Sequence, residues 1–302
     1  MKNIHNPWVK LKETIDAQDY NLINQLQERC SQNDQTALKL ELDYKLGVES
    51  GESTGLKGIN EYMYFDGDQL IGYLGISNFG GPWEVNGMVD PEYRRQGVFT
   101  KLYELVMDEW KRNSSGGMLL LSDRQSQSGQ KFIAGTSAHY KHTEYEMYLK
   151  QNAPVPAQDL AGLTFRKATN ADAREITRQN RTYFSDESTS ASVDELDTMV
   201  LPEEEEKRGM TSYLVEKEGE IIGKVNLQLT SKLGAIFGLG VLPEHRRKGY
   251  GRALLLMAIE KLKEANAQEI MLQVAAENAN ALNLYKSCGF AETSTMDYFE
   301  MK

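Results

Sequence analysis

Val241-Leu242-Pro243-Glu244-His245-Arg246-Arg247-Lys248-Gly249-Tyr250-Gly251-Arg252 joins a mostly apolar run, Ala235 to Val241, to a segment with apolar residues at Leu254, Leu255, Ala258, Ile259 and Leu262. The run reads as a strand. The segment reads as an amphipathic helix, because its apolar residues recur at three and four. Between them lie two glycines and four bases, Arg246, Arg247, Lys248 and Arg252. Such a turn aims unpaired backbone N–H groups and the positive end of a helix dipole at one point, where an anion is stabilised. Glycine lets the main chain approach that anion with no Cβ in the way. A glycine-rich turn with exposed bases is the alternative that these residues leave open. A dinucleotide fingerprint fails, since Leu254 holds the third glycine position of G-x-G-x-x-G, and no G-x-x-x-x-G-K-[ST] loop occurs.

The same pattern occurs earlier in the chain. Val89 to Leu102 matches Val241 to Leu254 at seven of fourteen positions without a gap: Val89/Val241, Pro91/Pro243, Glu92/Glu244, Arg94/Arg246, Arg95/Arg247, Gly97/Gly249 and Leu102/Leu254. Ile71-Gly72 recurs as Ile222-Gly223, one residue out of step with the first match. The interval is half of the 302 residues, so it marks one duplicated domain and not a short solenoid period. Residues 1–150 and 163–302 are the expected copies. Residues 151–162, with Pro154, Pro156 and Gly162 and neither periodicity, are the expected linker.

Composition excludes several classes. With 40% hydrophobic and 26% charged residues the chain reads as soluble and globular, and no apolar run is long enough for a membrane span. Met1 to Tyr20 has no apolar segment of the kind a secretory signal needs. Two cysteines, Cys30 and Cys288, make neither a disulfide framework nor a zinc spacing, which suits a reducing cytoplasm. A net charge of -10 argues against nucleic-acid or anionic-membrane partners. His139-x-x-His142 has no third ligand at a suitable spacing, so no metal is expected. The run Glu203 to Glu206 reads as a solvated helix end or loop.

In the second copy Leu163 to Arg166 reads as an opening strand and Asn170 to Gln179 as a helix. Tyr213 to Val215 and Ile221 to Leu229 form a hairpin across Glu218-Gly219-Glu220. Ala235 to Val241, Ile270 to Val274 and Met296 to Met301 are further strands, and Ala281 to Lys286 is helical. The fold class that follows is α/β: two tandem domains, each a mixed, mostly antiparallel sheet flanked by helices. In the first copy Asp16 to Leu46 is helix-rich and shows no clear opening strand.

Val241 to Arg252 resembles motif A of the GNAT superfamily of acyl-CoA-dependent N-acetyltransferases. Glu277 to Phe290, with Asn278-Ala279-Asn280-Ala281 and Leu284-Tyr285-Lys286, is similar to motif B, and Phe165 to Ala168 followed by Asp172 is similar to the usual domain opening. The resemblance implies an acetyl-CoA cofactor held by Leu239, Gly240 and Val241, which would pair with its amides as with another strand. Arg246, Arg247, Lys248, Gly249, Tyr250, Gly251 and Arg252 would hold the pyrophosphate, and Asn278 would also contact the cofactor. Tyr285 would be the catalytic acid that protonates the departing thiolate, while a backbone N–H of residues 239–241 polarises the carbonyl.

The general base stays open. Gln273 stands where relatives can carry a glutamate, residues 235–241 include no acid, and Glu277 or a water relay would have to serve. Tyr183-Phe184-Ser185-Asp186-Glu187 falls in the region where the family binds its acceptor. Cys288 reads as packing. The first copy keeps Arg94 and Gly97, but Phe99 replaces the second glycine, Ser126 replaces Asn278 and Ile133 replaces Tyr285. Tyr140 is a distant substitute acid, and Glu84 leaves room for a separate activity. The reading is an N-acetyltransferase acting on a primary amine of a small molecule or peptide, with catalysis in the second half. A non-catalytic acyl-CoA-binding regulator is the alternative. An aminoacyl transferase fits poorly, because the acidic charge disfavours a tRNA-bound donor.

Overall fold

A computed structural model of the chain describes residues 1–46, 58–78, 81–113, 116–150, 162–184, 199, 201–207, 209–230 and 232–301. The expected linker lies outside them except for Gly162. Contacts divide the chain into two compact units, residues 1–144 with 294–302, and residues 145–293.

In the first unit β1 (Pro7–Lys12) is followed by α1 (Ala17–Asp34), α2 (Leu42–Leu46), β2 (Glu61–Asp66), β3 (Gln69–Ser77), β4 (Trp83–Val89), α3 (Val98–Asn113), β5 (Met118–Asp123), α4 (Gln127–Ala134) and β6 (His139–Leu149). β1 to β4 pair antiparallel in sequence order, and β4 pairs parallel with β5. α1 begins at a capping box in which the Asp16 and Asp19 side chains bond each other's backbone N–H groups, satisfying donors that a helix start leaves open.

The second unit continues with β7 (Leu163–Lys167), α5 (Ala173–Phe184), α6 (Pro202–Lys207), β8 (Met210–Lys217), β9 (Glu220–Thr230), β10 (Leu233–Val241), α7 (Tyr250–Glu264), β11 (Glu269–Ala275), α8 (Ala279–Ser287) and β12 (Phe290–Met301). β7 to β10 are antiparallel and β10 runs parallel to β11. β8 and β9 turn on Glu218 and Gly219, both at positive φ (52° and 84°), as a tight right-twisted hairpin requires. α7 buries Leu254, Leu255, Ala258, Ile259 and Leu262 in a core shared with Val225, Leu227 and Ile236 of the sheet. Truncating one of these leucines to alanine costs about 2–5 kcal/mol. The acidic run forms α6, where Glu203 bonds Asn170 and Glu206 pairs with Lys167, so it is a surface helix as expected.

Two expectations need correction. The first copy does have an opening strand, β1, paired along its length with β2. The expected division at residues 151–162 also differs from the observed one, because β6 and β12 each run through both units. Tyr145–Leu149 belongs to the second unit. Residues 294–302 belong to the first, where Met296–Met301 pairs antiparallel with Met118–Asp123. Alternation in a sequence shows that a segment is a strand but does not name its neighbour.

Candidate active site

The turn after β10 is built for exposed amides. Val241 enters a short 3-10 turn (Pro243–His245), Arg247 lies at φ 61°, and Gly249 caps α7 at φ 86° with no side-chain cap bond. The first-turn N–H groups of α7, at Tyr250, Gly251 and Arg252, precede the residues that bond back along the helix, and so face outward. A Cβ at Gly251 would meet only ordinary contacts, 3.6 Å from Leu284 Cδ2 and 3.9 Å from Val241 Cγ2. Packing within the protein therefore does not demand glycine there, whereas close approach of an anion would.

The expected basic residues are not equivalent. Arg246 Nε donates to Val241 O at 2.9 Å and braces the turn, as Arg94 Nε does to Val89 O at 3.0 Å in the first unit. Arg252 is bonded to Ser287 Oγ and O (2.9 and 3.1 Å), tying α7 to α8, and Lys248 Nζ donates to Glu244 O at 3.1 Å. Lys217 donates to the Tyr250 hydroxyl at 2.7 Å. Arg247 is exposed and has no ionic partner among the described residues. Its guanidinium is the one most available to a phosphate.

β10 and β11 pair only from Leu233↔Glu269 to Ile236↔Leu272 and then part. Beyond that point β10 carries a bulge in which Gly238 and Leu239 stand opposite the single residue Val225, before Gly240↔Lys224 and Val241↔Gly223 resume. Leu242 N donates to Ile222 O on β9, so by alternation the Val241 N–H faces away from β9, toward the gap. The structure thus brings the 239–241 strand edge, the glycine turn and the start of α7 to one splayed cleft.

Tyr285 lies on α8, 8% exposed, edge-on to Phe290 with ring centroids 6.3 Å apart. Its hydroxyl has no partner among the described residues and is not a sealed orphan there, so it keeps an open side. Burial pushes its pKa up to about 12, which keeps the phenol protonated and able to donate. Asn278 also serves the helix itself. Its Oδ1 caps α8 by accepting from Ala281 N at 3.1 Å, leaving its amide NH2 for any ligand. Cys288 is buried, and burial raises its pKa, as suits a packing residue. Glu277 is exposed.

The α5 face of the sheet holds Tyr183, the start of the expected acceptor segment, together with Gln179 and Lys224, which sequence reasoning missed. The Tyr183 ring lies against Gly240, where a Cβ would collide with it. Its hydroxyl donates to Gln179 Oε1 at 2.9 Å, and fully buried Gln179 donates to Glu175 at 2.7 Å. Of the expected acceptor segment, Ser185, Asp186 and Glu187 lie outside the described residues. Lys224, fully buried on β9, donates to Gly238 O at 3.3 Å. Burial alone brings its pKa down to about 8. A single lysine in an alternating strand looks solvent-facing in sequence, and only the bulge opposite reveals its place.

The first unit repeats the frame without these parts. β4 and β5 also part after Val85↔Leu120, and Arg95 and Gly97 keep positive φ (63° and 79°). β3 and β4, however, pair without interruption from Gly72↔Val89 to Ser77↔Glu84, so no bulge forms. Phe99 packs edge-on against Phe132, Ile133 is buried, and Ser126 caps α4. A cavity of about 820 Å³ opens between the parted strands, lined by Val85, Gly97, Thr100, Ser122 and Ile133 among others. Glu84 stands 3.1 Å from Lys39 Nζ, and Tyr298 donates to Glu144 beside it. The His142 ring stacks on Tyr298, with centroids 4.3 Å apart.

Comparison with known proteins yields one family model, that of the acetyltransferase (GNAT) family, matching residues 22–128 and 173–290. Mycothiol acetyltransferase of Thermobispora bispora is 26% identical over 245 residues, covering 78% of this chain and 81% of that protein. Among solved structures, a GCN5-related N-acetyltransferase from Sphaerobacter thermophilus superposes with a TM-score of 0.73 at 18% identity, covering 98% of this chain and 95% of its own. A tandem GNAT protein from the clavulanic acid biosynthesis pathway gives 0.69 at 16% identity, with 98% of both chains covered. These two likenesses speak for the fold.

Proposed function

Because this chain belongs to the acetyltransferase (GNAT) family and is an N-acetyltransferase, we propose that its second unit moves an acetyl group from acetyl-CoA to a primary amine of a small molecule or peptide. One contrast carries the assignment to that unit: β10 has the bulge and α8 has Tyr285, while β4 is unbroken and Ile133 stands at the matching place. The thioester supplies an activated acyl carbon. The protein's residues do the rest. The Val241 edge aligns the donor's amides, the first turn of α7 with Arg247 neutralises its diphosphate, and the Leu239 N–H takes up charge on the carbonyl oxygen. The acceptor nitrogen bonds to the acyl carbon, the C–S bond breaks, the Tyr285 phenol gives its proton to the sulfur, and the proton shed by the nitrogen returns through water to the phenolate.

The small-molecule acceptor draws support from the mycothiol acetyltransferase relative. A non-catalytic acyl-CoA-binding regulator is favoured by one observation, the cavity in the first unit, which lies in the half that lacks the phenol. The experiment that separates the two measures thiol release from acetyl-CoA over a panel of amines, for wild type and Tyr285→Phe. The transfer reading expects turnover on at least one amine and a loss of ~10²-fold or more in the variant. Binding of acetyl-CoA with no turnover on any amine supports the regulator instead.

A further inference from the structure

The acyl-transfer reading gives the bulge a role but not the lysine beneath it. Lys224 is fully buried on the central strand β9, and its only partner among the described residues is the Gly238 carbonyl. A buried ammonium without a carboxylate is costly, and an apolar side chain would fill the same space without that penalty. The position is specific. Gly238, at φ 56°, turns its carbonyl toward Lys224, and a Cβ there would lie 3.1 Å from both Lys224 Nζ and Asn226 Nδ2. The first unit supplies the control: Tyr73 occupies the register position of Lys224, beside Gly72↔Val89, and opposite it β4 has no bulge. At this position lysine and bulge occur together in one unit and neither occurs in the other, where the buried Lys45 ammonium that donates to the Tyr73 hydroxyl is paired with the Glu61 carboxylate.

The carbonyl that accepts from Lys224 belongs to the peptide whose N–H is that of Leu239. No described peptide is cis, so this N–H points away from the ammonium. We infer that Lys224 acts through the Gly238–Leu239 peptide, polarising it by a charge-assisted hydrogen bond and so strengthening the Leu239 N–H as donor to the acyl carbonyl oxygen. This rests on the acyl-transfer reading of the second unit. Lys224 is a positioning and electrostatic residue, with no contact to the reacting atoms. Hydrogen bonds with one charged partner are roughly twice as strong as neutral ones, and linked bonds polarise one another.

The test compares the full-length wild type with Lys224→Met and Lys224→Arg, using acetyl-CoA labelled with carbon-13 at its carbonyl. Infrared difference spectra of the bound thioester should show a lower carbonyl stretching frequency in wild type than in Lys224→Met, with Lys224→Arg between them. In turnover, Lys224→Met should lose kcat by roughly tenfold, a fraction of what removing an oxyanion donor costs, with KM for acetyl-CoA within about twofold because pyrophosphate contacts are untouched. Wild-type kcat should fall above about pH 8, as the ammonium deprotonates, and Lys224→Met should lack that limb. An unchanged stretching frequency together with an unchanged kcat in Lys224→Met overturns the inference. A lysine-dependent frequency with no transfer to any amine overturns the acyl-transfer reading and leaves the polarisation standing. If Lys224→Met does not fold, Lys224→Arg and the pH dependence of the wild-type frequency decide: a frequency constant from pH 6 to 10 in both counts against it.

Discussion

Replacing Lys224 by methionine should stabilise the second unit at neutral pH even as it weakens the enzyme. Burial holds the ammonium at about 8, down from 10.5, with no nearby charge contributing. One pKa unit corresponds to about 1.4 kcal/mol, so at pH 7 the folded state carries a penalty of about 3 kcal/mol. The side chain is fully covered, so solvent screening does not reduce this. Methionine gives up the charge-assisted bond to Gly238 O, about 2 kcal/mol, which leaves a net gain of about 1 kcal/mol. The sign follows from linkage: the folded pKa lies below the unfolded one, so the penalty is full below about pH 8 and fades as pH rises toward 10.5. The variant's advantage should therefore vanish by pH 10.5. Trp8, Trp83 and Trp110 are the chain's three tryptophans and all belong to the first unit, so their fluorescence is an internal control. The second unit can be followed by hydrogen exchange of β9 and β10 amides in urea, or by its own calorimetric transition, which should rise by roughly 2–4 °C at pH 7. A variant that is less stable at pH 7, or an advantage that persists unchanged at pH 10.5, refutes the reasoning.

Gly251→Ala should leave the melting temperature within about 1 °C, since its Cβ meets only ordinary contacts, yet raise KM for acetyl-CoA roughly tenfold by crowding the diphosphate; equal loss of stability and affinity would point to packing instead. Asp172 is held down at about 2 by Arg166, which bonds it at 2.7 and 2.8 Å. With the folded pKa below the unfolded 3.8, its stabilisation is present above about pH 4 and lost as pH falls toward 2. Because Arg166 is 35% exposed, the contribution is about 1–2 kcal/mol. Asp172→Asn should cost that amount at pH 6 and almost nothing at pH 2, as read by urea unfolding. Placing a phenol in the first unit, Ile133→Tyr in a Tyr285→Phe background, should restore no thiol release above the parent variant, because β4 lacks the bulge; recovery of turnover would show that the phenol alone suffices.

The duplication, the glycine turn and the position of Tyr285 on a helix could all be read in the sequence, because each leaves a spacing that only one local geometry satisfies. β1 could not. Pro7–Lys12 is an edge strand of intermediate to exposed residues, so it lacks the apolar contrast that marks a half-buried strand. The bulge was hidden because Gly238 and Leu239 sit inside an apolar run that reads equally well as continuous ladder. Among the candidate ligands, charge and the motif resemblance grouped Arg246, Lys248 and Arg252 with Arg247, although the first three spend hydrogen bonds on the protein's own framework. Lys224 was invisible for a related reason: whether an isolated cation in a strand meets solvent or a carbonyl depends on a partner strand far along the chain.

The passage of β6 and β12 through both units has a consequence for biogenesis. A ribosome makes every residue of the second unit, Tyr145–Thr293, before it reaches the segment that completes the sheet of the first. The half translated first is thus the half that closes last, and its open β5 edge must wait for Met296–Met301. A gene cut in the middle would release two fragments that each lack a strand donated by the other.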